Sequence, residues 1–396
     1  MNLMMKTSIL AILGLTIGVP QMALPQAATQ PARHESLKQE LGLAYQRGLT
    51  FLQGKQNAET GQWGDAEPVA FTALAIASTL LDPSRNPKAP IPANIEKAYA
   101  FLLKNVQPDG GIYVKARANY NTSMALMALL LNPKPEYEEV MLRARRFVIR
   151  QQNDFDEKGK TDNPFDGGIG YGTPKPDNPA HADLSNTVFA LEALHYSQAL
   201  LADKGDAAKG EPKLNFGAAI EFIQNCQNLP GSNKQGWVST DPKDKGGFVY
   251  SPGETRGAQE KLPDGRTALR SYGSISYAGL LSFIYAGLDK KDPRVEAVME
   301  WLRTNYTVEE NPGLGANGLY YYYHTMAKAL TAAKVDFLKT KDGKVIDWRA
   351  DLTQKILSLQ KGDGSWANET GRWMESDPVL TTSYMLLALA RVHGSL

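Results

Sequence analysis

The feature that most constrains this chain of 396 residues is a phrase that recurs six times between residues 43 and 392. Each copy runs from an amphipathic helix through a Gly-rich turn with an aromatic residue into a second, more apolar helix. The six turns are centred on residues 61–63, 111–113, 170–171, 236–237, 318–320 and 364–366. One helix pair cannot bury its apolar face alone, so neighbouring copies must stack.

The two helices of each copy differ in where their apolar residues fall. The first helix has apolar residues at i, i+3, i+4 and i+7, as in AYAFLL, and therefore faces solvent on one side. The second helix is apolar almost all round, as in NTSMALMALLL, and must be covered on most sides. This contrast predicts an all-α fold, an α/α toroid with six inner and six outer helices; an open solenoid is the alternative. We expect the inner helices to begin near Glu67, Asn119, Asp183, Leu269, Leu319 and Pro378.

The first residues of the chain have the pattern of a signal peptide. Lys6 precedes the apolar stretch SILAILGLTIGV, which is too short to span a bilayer, and small residues follow around Ala27 and Ala28. We predict a signal peptide over residues 1–28 and one toroid domain of about six helix pairs over residues 29–396. The mature protein is then exported, periplasmic or extracellular, and not integral to the membrane; an uncleaved N-terminal anchor is the alternative.

Charge and cysteine content exclude several classes of function. The chain has 43 Lys plus Arg against 42 Asp plus Glu, a net charge of +1, and no basic block, which argues against a nucleic-acid partner. Cys226 is the single cysteine, so neither an intramolecular disulfide nor a site built from several thiolates can form. We predict no cofactor.

The turns resemble a known family motif. Residues 360–366 read Gln-x3-Gly-x-Trp, and residues 107–113 match it with Tyr in place of Trp. This pattern resembles the QW motif of the terpenoid cyclase and protein prenyltransferase superfamily, whose members carry prenyltransferase and squalene oxidase repeats. The resemblance implies the same α/α toroid. We interpret the motifs as structural, with the Gln capping the end of an outer helix.

The resemblance to squalene-type cyclases implies a catalytic Asp-x-Asp-Asp-Thr sequence at the start of an inner helix. Residues 183–187 match its frame as Asp-Leu-Ser-Asn-Thr. Ser185 stands at the place of the proton donor and Asn186 at that of its neighbour. Neither a hydroxyl nor an amide protonates a carbon–carbon double bond, so cyclisation by that route is not expected.

The resemblance to prenyltransferases implies a zinc ion held by Asp-Gly-Cys at one inner helix and by a His at the next. Here Tyr272 and Ser274 replace the carboxylate and the thiolate, and only His324 remains. One ligand of three does not make a zinc site, so we predict no metal.

Polar and aromatic residues remain near the starts of the inner helices, and we take them as a candidate ligand-binding cavity at one barrel mouth. The alternatives are structural: Asp183 and Asp377 as helix N-caps, and His324 as a hydrogen-bonded core residue. Arg270 has no such explanation, so we expect Arg270→Ala to reduce function more than stability. The long insertions at residues 154–183 and 231–270 are candidate lids. The candidate set is Asp183, Asn186, Arg270, Tyr272, Tyr323, His324 and Asp377.

Three functions stay open. The first is a binding or scaffold protein for a small apolar or amphipathic ligand, without either family chemistry. The second is an enzyme acting on an isoprenoid or lipid, and the third is a carbohydrate-active toroid, each using an acid that the sequence does not identify. An aromatic, apolar bore favours a lipid, whereas paired carboxylates favour glycoside chemistry.

Overall fold

The structure is a computed structural model that describes residues 31–173, 181–202, 204–340, 342–394 and 396. The predicted signal peptide lies outside these ranges. The described residues form twelve α-helices: α1 Pro31–Lys55, α2 Pro68–Leu80, α3 Ala93–Lys104, α4 Ala118–Leu130, α5 Glu138–Ile149, α6 Leu184–Ser197, α7 Phe216–Asn225, α8 Gly273–Tyr285, α9 Pro293–Thr304, α10 Leu319–Ala332, α11 Trp348–Ser358 and α12 Pro378–His393.

Short elements lie in the loops between these helices. Strand β1 (Gln259–Lys261) pairs antiparallel with β2 (Thr267–Leu269), and β3 (Leu338–Lys339) pairs with β4 (Val345–Ile346). Single turns of 3-10 helix cover Pro135–Tyr137, Gln198–Leu201, Gly205–Gly210 and Arg372–Met374. In the part of the chain that the structure describes, no helix is both long enough and apolar enough to cross a membrane.

The even-numbered helices form a closed inner ring. Each of α2, α4, α6, α8, α10 and α12 packs against the next, and α12 packs back against α2. The odd-numbered helices lie outside this ring, and buried apolar side chains of all twelve helices form one contiguous cluster. The closed α/α toroid is therefore confirmed, and the open solenoid is wrong.

Five of the six inner helices begin within one residue of the predicted position. The exception is α8, which begins at Gly273 rather than near Leu269. Leu269 belongs instead to β2, where it lies opposite Gln259 of β1. The hairpin extends the loop by several residues before the helix can start.

The motif glutamines tie neighbouring outer helices together. The Gln56 amide donates to the Gly61 carbonyl of its own turn at 2.9 Å and to the Asn94 carbonyl of the next outer helix at 2.9 Å. The Gln therefore bridges its turn to the adjacent repeat, which corrects the expectation that it caps the end of its own helix. The same pair of bonds is made by Gln152, Gln227 and Gln360.

A glycine with positive φ brings each of these turns against the next outer helix. Gly246 has φ 93°, and a Cβ there would lie 2.1 Å from the carbonyl oxygen of Ala297 in α9. No other residue type fits this close approach. Glycines at the equivalent place, all with positive φ and all against backbone of the next outer helix, are Gly61, Gly110, Gly167 and Gly364.

The structure relocates two of the predicted turns. In five of the repeats, the residue that joins the turn to its inner helix donates its backbone N–H to a Thr or Ser hydroxyl of that helix. In the third and fourth repeats these residues are Ile169, which donates to Thr187 at 3.0 Å, and Phe248, which donates to Ser276 at 3.0 Å. The turns at residues 170–171 and 236–237 were therefore wrong. A buried aliphatic or aromatic side chain fills this place, so an exposed Tyr or Trp nearby is a misleading signal.

Candidate functional site

The starts of all six inner helices lie at one end of the barrel. An outer helix returns the chain between successive inner helices, so the inner helices run parallel. Their first turns surround one mouth, and their last turns surround the opposite, inner end of the bore. Residues spaced by three, four or seven positions along an inner helix face the bore together.

Four aromatic side chains close a ring around the bore near the mouth. Tyr120 of α4, Phe189 of α6, Tyr321 of α10 and Tyr384 of α12 form this ring, which we call the aromatic girdle. Neighbouring ring centroids lie 5.1, 6.2 and 6.1 Å apart in that order, and the hydroxyls of Tyr384 and Tyr120 lie 3.5 Å apart. The sequence prediction missed the girdle because each member belongs to a different helix.

The girdle encloses a narrow space rather than a solid core. Tyr120, Phe189 and Tyr384 keep 7, 8 and 6% of their surface exposed, although they point to the centre of the molecule. Below them, Met124 and Leu387 keep 8 and 7%. These small exposed fractions indicate a narrow gap along the axis of the toroid rather than an open channel.

Asp183 is a buried acid at the mouth. It caps α6, with its Oδ1 accepting from the Asn186 backbone N–H at 2.9 Å and its Oδ2 accepting from the Asn186 side-chain amide at 2.7 Å. Burial raises the pKa of Asp183 to about 6, although the hydrogen bonds from Asn186 and Tyr250 oppose the rise. Asp183 and Asn186 are therefore in contact, and Asp183 is the N-cap of α6, which was the structural alternative for it.

The two long loops meet beside Asp183. Tyr171 belongs to the first loop, and Tyr250 and Arg256 belong to the second. Tyr250 is hydrogen-bonded to Asp183, to Tyr171 and to Arg256, so the three side chains and Asp183 form one cluster. The Arg256 guanidinium lies 4.1 Å from the Tyr250 ring centroid, and Arg117 lies 5.6 Å from that of Tyr171. The mouth therefore has a rim of aromatic rings and arginines, and each arginine is paired with a carboxylate, Arg117 with Glu67 and Arg256 with Glu254. Residues 174–180 of the first loop lie outside the described residues.

No family model and no curated protein matches the sequence. The type II terpene cyclase MstE from Scytonema, solved with merosterolic acid A, has a TM-score of 0.51 at 14% identity over 91% of this chain and 99% of that one. The chain has a terpenoid-cyclase-like fold. An inactive variant of an α-1,6-mannanase from a Salegentibacter species, solved with α-1,6-mannotriose, has a TM-score of 0.52 at 12% identity over 89% and 99% of the two chains. At these identities the likeness is one of fold.

The other predicted residues of this terpenoid-cyclase-like toroid do not all reach the bore. Tyr323 points to the outer layer, where its hydroxyl donates to the Val308 carbonyl at 2.5 Å, and Tyr321 takes the inward position. Tyr272 is buried immediately before α8, and Asp377 caps α12 by accepting from the Val379 backbone N–H at 2.8 Å. His324 does face inward, where its ring stacks on Tyr384 at 4.9 Å.

Arg270 is held by its own loop. Its guanidinium lies 2.7 Å from Asp241 and 2.5 Å from Asp244, and it also pairs with Glu260. Asp244 in turn accepts from the Ser271 backbone N–H at 2.9 Å. These contacts give Arg270 the partners that the sequence could not supply, and they favour a structural role over the expected role in ligand binding.

A buried charge cluster lies at the inner end of the bore. Lys328 of α10 donates to Glu192 of α6, and the Arg391 guanidinium of α12 lies 3.7 Å from Glu192. The Tyr285 hydroxyl donates to the same carboxylate at 3.3 Å. The prediction did not include these residues, although Tyr321, His324 and Lys328 share the i, i+3, i+7 spacing of one helix face.

The described ranges contain no evident metal-binding site. No group of three or more His, Cys, Asp or Glu side chains lies close enough there to hold an ion. Cys226 is buried directly after α7, and burial raises the pKa of its thiol. The absence of a metal stays a prediction.

Proposed function

We propose that this chain is an exported binding protein that holds an amphipathic small molecule in the bore of the toroid. The aromatic girdle is the observation that carries this proposal, because a ring of aromatic side chains around a reachable space is typical of a site for an apolar body. The tyrosine hydroxyls and the arginines of the rim add polar contacts.

The acids at the mouth favour binding over cationic cyclisation. Ser185 lies where the family pattern has its proton donor, and its hydroxyl lies 3.3 Å from that of Tyr321. Asp183 behind it has a pKa raised to about 6 by burial, which makes it a weaker acid than an ordinary Asp. Protonation of an alkene needs a stronger acid.

The other mouth carboxylates are engaged in structure. Glu67 pairs with Arg117 at 2.5 Å and accepts from the Asn121 amide at 2.7 Å. Glu375 is buried and accepts from the Tyr321 backbone N–H at the start of α10 at 2.7 Å. A glycosidase needs two carboxylates free to act on one bond, and this arrangement does not favour one.

Calorimetric titration with decanol, a neutral amphipathic probe, tests the proposal. We expect saturable binding, weakened at least tenfold by Phe189→Trp, because the larger ring fills the bore. The matched control is Tyr113→Trp, at a half-buried turn position on the outside of the toroid, which should bind like the wild type. The proposal fails if decanol does not bind, or if both variants bind it equally well.

Carbohydrate binding at the rim is the second candidate. Tyr171 and Trp373 are 42 and 41% exposed, and exposed rings suit the faces of sugars. Trp373 lies over the start of α10, where a Cβ on Gly318 would be 3.0 Å from its ring. Titration with α-1,6-mannotriose tests this candidate. Binding that Trp373→Ala abolishes, together with no response to decanol, would replace the lipid-like ligand by a sugar.

A further inference from the structure

The buried charge cluster lies below the girdle, one to two helical turns deeper into the bore. Lys328 follows Tyr321 by seven residues and Arg391 follows Tyr384 by seven, whereas Glu192 follows Phe189 by three. Seven residues return to the same helix face and advance about 10 Å along the axis. The girdle and the cluster therefore face the same bore, about 10 Å apart along α10 and α12 and about one helical turn apart along α6.

The cluster carries more positive than negative charge. Among the described residues, Glu192 is the one carboxylate that lies against both Lys328 and Arg391, and the neighbours of the cluster include the phenols of Tyr285 and Tyr196 and the imidazole of His195. The side chains of Glu192 and Lys328 are 3 and 5% exposed, and that of Arg391 is 19% exposed. A buried cation without a counter-charge is costly, so two cations against one carboxylate leave a site that an anion would stabilise.

His324 supplies an unused polar atom beside the cluster. It lies on α10 one turn above Lys328, is 4% exposed, and its Nδ1 has no hydrogen-bond partner among the described residues. Burial lowers the pKa of His324 well below its usual value, and the charges of Lys328 and Arg391 act in the same direction. The ring is therefore neutral, and its one N–H is used by a hydrogen bond to the Tyr384 backbone, so His324 adds no positive charge to the cluster.

We infer that the inner end of the bore binds the carboxylate of an amphipathic acid, which Lys328 and Arg391 recognise. The inference rests on the proposed binding function and adds the chemical class of the ligand. One surplus positive charge matches one carboxylate better than a doubly charged phosphate. The ligand body extends from the cluster toward the aromatic girdle.

The test compares decanoate, decanol and decyl phosphate in calorimetric titrations of the full chain. We expect decanoate to bind at least tenfold more tightly than decanol, and more tightly than decyl phosphate. Lys328→Met removes the surplus charge and should abolish the preference for decanoate over decanol. Lys355→Met, which removes a lysine paired with Glu309 at the surface of an outer helix, should leave that preference unchanged.

Each other outcome has a distinct meaning. Equal binding of decanol and decanoate overturns the inference and leaves the proposed function standing, whereas no binding of any probe overturns both. Tighter binding of decyl phosphate overturns the assignment of a carboxylate. If Lys328→Met does not fold, Arg391→Gln removes the other cation and must reduce the same preference tenfold.

Discussion

Removing Glu192 should destabilise the fold far more than removing Lys328, its partner in the same ion pair. Glu192→Ala leaves Lys328 and Arg391 buried without a carboxylate, which costs about 3–5 kcal/mol of unfolding free energy. We expect the lower end, because Lys328 can lose its proton. Lys328→Met leaves Glu192 with Arg391 and Tyr285 and nearly conserves volume, so its cost should stay under about 1.5 kcal/mol.

Urea unfolding at neutral pH, followed by circular dichroism, measures both variants. Glu309→Ala is the control, since its pair with Lys355 lies at the surface and contributes about 0–1 kcal/mol. Equal costs for Glu192→Ala and Lys328→Met would refute the reasoning, because they would mean that the cluster has no surplus of positive charge.

Three further changes test other parts of the structure by the same unfolding assay. Gly246→Ala should lower the free energy of unfolding by about 3–5 kcal/mol, because the added Cβ meets the backbone of α9. Gly253→Ala, with φ 84° but no neighbour within 4 Å, should lower it by about 1–2 kcal/mol. Equal losses would contradict the close contact between repeats. Burial raises the pKa of Asp183 from 3.8 to about 6, so the folded chain holds this proton more tightly than the unfolded chain. The stability that protonated Asp183 contributes is thus fully present below about pH 4 and lost by about pH 6. Between pH 4 and 7 the free energy of unfolding of the wild type should fall by about 3 kcal/mol relative to that of Asp183→Asn. A difference between the two proteins that does not change with pH would exclude the raised pKa. Arg270→Ala should lower the free energy of unfolding by about 1–3 kcal/mol without changing decanol binding. Arg266→Ala, which breaks an exposed ion pair, should change the free energy of unfolding by no more than about 0.5 kcal/mol. A loss of decanol binding without a loss of stability would mean that Arg270 binds the ligand.

The fold could be predicted from the sequence because its signals are local and repeated. The contrast between amphipathic and apolar helices recurs in every copy, and the ring closes because the last inner helix packs on the first. The turn assignments were weaker. Trp237 follows a glycine as the motif requires, but Phe248 is the residue that bonds to the inner helix through Ser276. Inserted loops separate these residues, and spacing alone cannot decide between them.

The site was harder to predict because it depends on which way each side chain points. Four tyrosines follow one another at residues 320–323, and the sequence does not say which faces the bore. Tyr321 does, and Tyr323 does not, because the hydroxyl of Tyr323 finds the Val308 carbonyl in the outer layer. Arg270 lacked a visible partner only because Asp244 lies 26 residues earlier in the chain.

The charge cluster was missed for a related reason. Glu192, Lys328 and Arg391 come from three inner helices that are far apart in sequence. Each of these charged residues lies on an inner helix that is otherwise mostly apolar. The repeat pattern does not explain a single charged residue on such a helix, so each one indicates a specific role. Such a charge, buried within a toroid, is either paired or reserved for a ligand.

A crystal structure of the chain with 10-bromodecanoate tests most directly whether the bore is the binding site. Anomalous scattering locates the bromine, and the electron density locates the carboxylate. We predict the bromine beside Tyr321 at the girdle and the carboxylate against Lys328 and Arg391. A bromine found only at the outer surface, with water alone in the bore of a fully loaded crystal, would contradict a ligand-binding toroid.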